Sequence, residues 1–119
     1  MTQQELFQAL KPRLIQKGFD EKRVESFINW NNKNVWVWPA IIRRFNDLVR
    51  EGKKSLGMKK IFEDLRDNQR PRGGKYKLSN SWTCLYGHAL VIVFPQAKGI
   101  LRLDPVKPSP RFYLSRQAA

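Results

Sequence analysis

The chain has 119 residues and carries 23 Lys and Arg against 10 Asp and Glu, a formal net charge of +13. That length holds one domain with a modest core. A content of 41% hydrophobic and 12% aromatic residues is a folding composition and excludes a wholly disordered basic tail.

The predicted elements are mainly helical. Thr2 and Glu5 have capping-box spacing, and Leu6, Phe7, Leu10 and Leu14 recur at helical intervals, so a first helix spans 2–17. Pro12 should bend or interrupt it, and Gly18 should end it. Asp20 is a natural N-cap for a second helix with Val24, Phe27 and Ile28 inward, fading into the Asn-rich segment Trp30-Asn31-Asn32-Lys33-Asn34.

A third helix is expected from about Val35 to Glu51. Ile41, Ile42, Phe45, Leu48 and Val49 form its apolar stripe, Pro39 sits in its first turn and Gly52 closes it. A fourth follows, with Ser55 as N-cap and Met58, Ile61, Phe62 and Leu65 inward. Asn68 to Gly74 reads as a basic loop. Ser79 or Ser81 then caps a fifth segment with Trp82, Leu85, Tyr86, Ala89 and Val93 inward. Its β-branched end, residues 89–94, is equally compatible with a helix and a buried strand. Ile100-Leu101-Arg102-Leu103 alternates like a short strand. The expected architecture is a mainly α domain of four or five helices over residues 1–104. It includes a helix-turn-helix or winged-helix-like unit and a small β element, and an extended, Pro-containing basic tail follows at 105–119.

No apolar run approaches the ~20 residues of a membrane helix. One cysteine excludes an internal disulfide. The polar start Met1-Thr2-Gln3-Gln4-Glu5-Leu6 carries no secretory signal. The expected setting is cytoplasmic, with no membrane partner.

The charge is uneven. Residues 52–78 hold nine basic and three acidic side chains. Such a field attracts polyanions and releases their counterions, so nucleic acid is the first partner to consider. Lys53, Lys54, Arg66, Arg70, Arg72, Lys75 and Lys77 are the expected phosphate contacts. Tyr76, between two lysines, is placed to stack on a base. The fourth and fifth helices read as a helix-turn-helix whose second helix presents Ser79, Asn80, Ser81, Thr83 and Tyr86, with Lys75-Tyr76-Lys77 as a wing. The competing reading is a solvated basic surface.

Other constellations are weaker. Cys84 and His88 stand four apart, and two ligands do not make a zinc site; structural burial is the expectation. Glu63, Asp64 and Asp67 could serve a metal-dependent nuclease, but Lys59, Lys60, Arg66 and Arg70 lie within pairing distance, so surface ion pairs are expected. Trp30, Trp36, Trp38 and Phe27 read as a core plug. No phosphate loop or catalytic triad pattern occurs. No cofactor and no enzymatic activity are expected.

Phe27-Ile28-Asn29-Trp30, then Gly57-Met58-Lys59-Lys60-Ile61-Phe62-Glu63-Asp64-Leu65-Arg66, then Tyr76-Lys77-Leu78-Ser79-Asn80-Ser81-Trp82-Thr83 stand in this order. The order resembles a family of small phage and prophage proteins. Their pattern pairs a G-I-K-x-L-F-E-x-L-R-like helix with a downstream F-K-L-N-N-N-Y-T-x-x-Y-A-like segment. The likeness spans roughly 27–103. Ser79 and Ser81 replace Asn, and Trp82 replaces Tyr. The resemblance implies viral origin and directs attention to Arg66, Lys77, Asn80, Thr83 and Tyr86. The leading expectation is a non-enzymatic nucleic-acid-binding protein. The alternative is a phage inhibitor of a host defence complex, anti-CRISPR-like, that binds an effector protein or its guide RNA or DNA-binding surface.

Overall fold

The computed structural model describes residues 1–69 and 80–103. Among them are five α-helices: α1 (Gln3–Gln16), α2 (Glu21–Lys33), α3 (Val37–Arg50), α4 (Met58–Gln69) and α5 (Thr83–Val93). Two short strands, β1 (Leu56–Gly57) and β2 (Leu101–Arg102), pair in parallel with Leu56 opposite Leu101 and Gly57 opposite Arg102. Short 3₁₀ turns precede and follow α5, at Asn80–Trp82 and Pro95–Gly99. The expected tail at 105–119 lies outside the described residues.

Local chemistry sets the helix ends. Thr2 Oγ1 accepts the Glu5 N–H at 3.1 Å, and Glu5 Oε1 accepts the Thr2 N–H in return, a full capping box. Asp20 caps α2 by accepting the Arg23 N–H. Gly18 and Gly52 take φ of 110° and 91°, values that other residues adopt only under strain. Each builds the same stop. Gly18 N–H reaches the Ile15 carbonyl and Phe19 N–H the Leu14 carbonyl; Gly52 N–H reaches Val49 and Lys53 N–H reaches Leu48.

Three expectations need correction. α1 runs through Pro12 without a break. Pro12 and Gln8 are both exposed, so the carbonyl that loses its partner faces water while Phe7, Leu10 and Leu14 hold the helix to the core. α2 continues through the Asn-rich segment to Lys33, because Asn31 points into the core and is satisfied there. Ser55 does not cap α4. Leu56 and Gly57 form β1 first, with Leu56 N–H bonded to the Ile100 carbonyl at 2.9 Å. The alternative left open at residues 89–94 resolves to helix: residues 89–93 are helical, and the helix ends with the Phe94 N–H on the Leu90 carbonyl.

α5 is the central helix. Every residue from Leu85 to Val91 is buried. Tyr86 is fully buried, and its ring meets aromatic rings from all four other helices. The centroid distances are 6.3 Å to Phe7 (α1), 4.7 Å to Phe27 (α2), 6.3 Å to Trp38 (α3) and 5.8 Å to Phe62 (α4). Its hydroxyl donates to Asn31 Oδ1 at 2.6 Å. Asn31 Nδ2 donates to Gln3 Oε1 at 2.8 Å, and Gln3 Nε2 donates to the Val35 carbonyl at 3.0 Å. This relay carries the buried polar groups out to the surface, as burial of polar atoms requires.

Gly87 lets α5 pack closely against the Met58 and Leu103 side chains. A β-carbon there would stand 3.0 Å from Met58 Cγ and 3.2 Å from Leu103 Cδ2. Gly87→Leu is therefore expected to push α4 and the residue after β2 outward and to cost about 1–3 kcal/mol by overpacking. A urea denaturation midpoint equal to that of the parent would contradict this.

Candidate nucleic-acid interface

The predicted site residues fall into three groups. Arg70, Arg72, Lys75, Tyr76 and Lys77, and with them the expected wing, lie outside the described residues. Lys53 and Lys54 are exposed in the turn after α3. Arg66, Asn80 and Thr83 lie towards the other end of the α4–α5 pair: Arg66 in the last turns of α4, Asn80 opening the 3₁₀ turn, Thr83 as the first residue of α5. The structure does not bring these two described groups to one point. Lys59 and Arg66, seven residues apart on α4, share a stripe about 10 Å long.

Tyr86 requires correction as a groove-facing residue. It is 0% exposed. Because Leu85 to Val91 are buried, the first turn is the part of the N-terminal half of α5 open to a partner. That turn is anchored from α2, where Arg23 Nη2 donates to the Ser81 carbonyl at 3.2 Å and the guanidinium lies 5.7 Å above the Phe19 ring.

Around Lys53 and Lys54 the fold adds cations that the expected set omitted. The stop at Gly52 pins the Lys53 backbone through its bond to Leu48. Three residues after Lys53 the chain enters β1, and two residues after β1 comes exposed Lys59. Arg102, opposite Gly57 in β2, is also exposed. A β-carbon on Gly57 would lie 3.5 Å from Arg102 Nη2, so the guanidinium rests over β1, which Lys54 precedes and Lys59 follows in the chain. Lys53, Lys54, Lys59 and Arg102 make no ion pair among the described residues. The outward position of Arg102 was already implicit in the alternation of Ile100-Leu101-Arg102-Leu103.

The neighbouring acidic residues behave differently. Asp64 accepts from Arg44 Nε at 2.9 Å and pairs with Lys60 Nζ at 2.9 Å, with a side chain only 13% exposed. It thus ties α3 to α4. Among the described residues no three His, Cys, Asp or Glu side chains converge as a metal site would need. Burial alone would raise the Asp64 carboxyl. Hydrogen bonds from Lys60 and Arg44, with their charges, outweigh burial and hold it below the ordinary 3.8. A carboxyl lowered in the folded state stabilises fully above its unfolded value and loses that contribution as pH falls through the folded one. Asp64→Asn is expected to cost about 1–2 kcal/mol at pH 7. The gap to the parent should close below about pH 4, in urea titrations at pH 7 and pH 3. A gap that is the same at both pH values would contradict the ion-pair origin.

The remaining candidates are structural. His88 is buried with its ring edge-on to Phe19 at 5.3 Å, and Cys84 one turn earlier is half-buried. Phe27 and Trp38 are core, while Trp30 and Trp36 are half-buried against it. No helix is long and apolar enough to cross a membrane among the described residues. Comparison with protein-family models, with curated proteins and with solved structures finds no match to this chain.

Proposed function

We propose that this protein binds nucleic acid without catalysing a reaction, through the basic corner built by Lys53, Lys54, Lys59 and Arg102. In this reading the surface extends along α4 past Arg66 towards Asn80 and Thr83. The carrying observation is that three separate segments deliver four exposed cations around one two-strand corner, none of them in an ion pair among the described residues. Positive groups collected in this way suit a phosphate backbone, whose counterions they displace. Arg70, Arg72, Lys75 and Lys77 add further charge in the same stretch of chain, and Tyr76 adds a ring suited to stacking. The likeness to small phage proteins extends the proposal to a viral origin.

Fluorescence anisotropy against labelled duplex DNA, single-stranded DNA and structured RNA, across a salt series, tests the reading. The expected result is a steep linear fall of log affinity with log salt concentration, with one polymer preferred. A flat salt response on all three polymers rejects it.

A further inference from the structure

A second surface lies beside the basic corner and has a different chemistry. The apolar stripe of α3 is longer than the core can cover. Ile41 and Leu48 are buried, but Ile42 and Phe45 are only partly covered and Val49 is 36% exposed. Opposite them stand Leu90 and Phe94 of the α5 end and Ala97 and Ile100 of the 3₁₀ turn that follows. Together they enclose a groove of about 290 Å³, with the amides of Asn46 and Gln96 as its polar members.

We propose that this groove is the docking site for an acidic amphipathic helix of a partner protein. The volume is at the bottom of the ~300–1,000 Å³ range of small-molecule pockets. It suits two or three apolar anchor side chains better than an enclosed ligand. From Ile42 to Val49 the groove runs about 10 Å, two helical turns. That length matches anchors at i, i+3 or i+4, and i+7 from an incoming helix.

The rim chooses the sign of the partner. Arg43 and Arg50 stand three before and four after Asn46, on the outer flank of the α3 stripe, and both are exposed. Lys98 is exposed on the opposite wall between Ala97 and Ile100. Arg50 is shared with Asp47 at 3.5 Å, but residues 80–103 include no Asp or Glu at all. An apolar trough with cationic edges selects an apolar face with acidic flanks. The same charges disfavour two other occupants. A second copy of this chain would bring another +13. The chain's own residues 104–119 hold Phe112, Tyr113 and Leu114 but carry three basic side chains and one acidic one.

The test uses the full chain and a labelled 16-residue helical peptide with Leu and Phe at i, i+3, i+4 and i+7 and Glu along both flanks. A scrambled peptide of equal composition and a version with Lys for Glu serve as comparisons. The acidic helix is expected to bind about tenfold or more tighter than either. Val49→Gln, at a position already exposed, should weaken it about tenfold while leaving the melting curve and nucleic-acid affinity unchanged. Lys98→Glu should weaken the acidic helix and strengthen the Lys version. Amide shifts should cluster at 42–49 and 94–100. Equal binding of the scrambled peptide, or no effect of Val49→Gln, overturns the proposal in favour of generic attraction to a basic protein. A concentration-dependent dimer abolished by Val49→Gln assigns the groove to a second copy instead. A tenfold gain in peptide affinity with Phe112→Ser, Tyr113→Ser and Leu114→Ser combined assigns it to the chain's own C-terminal residues.

Discussion

Tyr86→Ala is expected to leave little folded protein at room temperature. Removing a fully buried aromatic side chain costs about 3–5 kcal/mol, and here the loss falls on the one ring that touches α1, α2, α3 and α4 together. It also strands the buried Asn31 carbonyl oxygen, which adds about 1–3 kcal/mol. The total is comparable with the ~5–15 kcal/mol that holds a whole domain together. Tyr86→Phe separates the two contributions. It keeps the ring and removes the hydroxyl with its 2.6 Å bond to Asn31, so its cost should be about 1–3 kcal/mol with folded-state circular dichroism intact. Urea titration of both variants gives the answer. A loss under about 2 kcal/mol for Tyr86→Ala would mean that the core can close without its central ring.

Neutralising the basic corner should have the largest effect on binding. Lys53→Ala, Lys54→Ala, Lys59→Ala and Arg102→Ala combined are expected to weaken nucleic-acid affinity at least about a hundredfold at 0.1 M salt. The slope of log affinity against log salt should drop by about three to four, near one per lost phosphate contact. All four side chains are exposed and unpaired among the described residues, so the thermal midpoint should barely move. The control removes the same charge elsewhere, from exposed Arg13, Lys17, Lys22 and Lys33 on α1 and α2 and at the turn between them. It should cost far less. If the two sets lose affinity equally, position does not matter and the +13 acts only as a diffuse field.

What could be read from the sequence follows the range of the interaction involved. The caps at Thr2, Asp20, Gly18 and Gly52 are local, and all four are where residue type places them. The stripe of α4 is legible for the same reason: Met58, Ile61, Phe62 and Leu65 are all buried. β1 was not legible, because Leu56-Gly57 has no strand character of its own and is made a strand by Leu101-Arg102, 45 residues away in register. α5 was ambiguous for a physical reason. A helix covered on every side loses the polar face whose 3.6-residue period announces a helix, and Leu90-Val91-Ile92-Val93 then resembles a strand. The same burial hid the role of Tyr86, which a helical wheel places inward and a helix-turn-helix analogy places outward. Among the site residues, Lys53 and Lys54 were found by charge density alone. Arg102 was missed because its relevance depends on a pairing that only the folded chain contains.

The two-strand pair has a kinetic consequence. Among the described residues most contacts between α-helices join neighbours along the chain, such as α1 with α2 and α3 with α4, and such local contacts close at low entropic cost. The β1–β2 pairing instead closes a large loop for a handful of hydrogen bonds, so its entropy is recovered only after α4 and α5 have docked. It is therefore expected to assemble late and to open early. Arg102 is set over Gly57, and the Ile100 wall is fixed by its carbonyl bond to Leu56, only when this pair has formed. Both surfaces of the molecule thus mature together. The Leu56 amide should exchange with solvent through a smaller opening than the amides of α5, and a partner held at either surface should slow it.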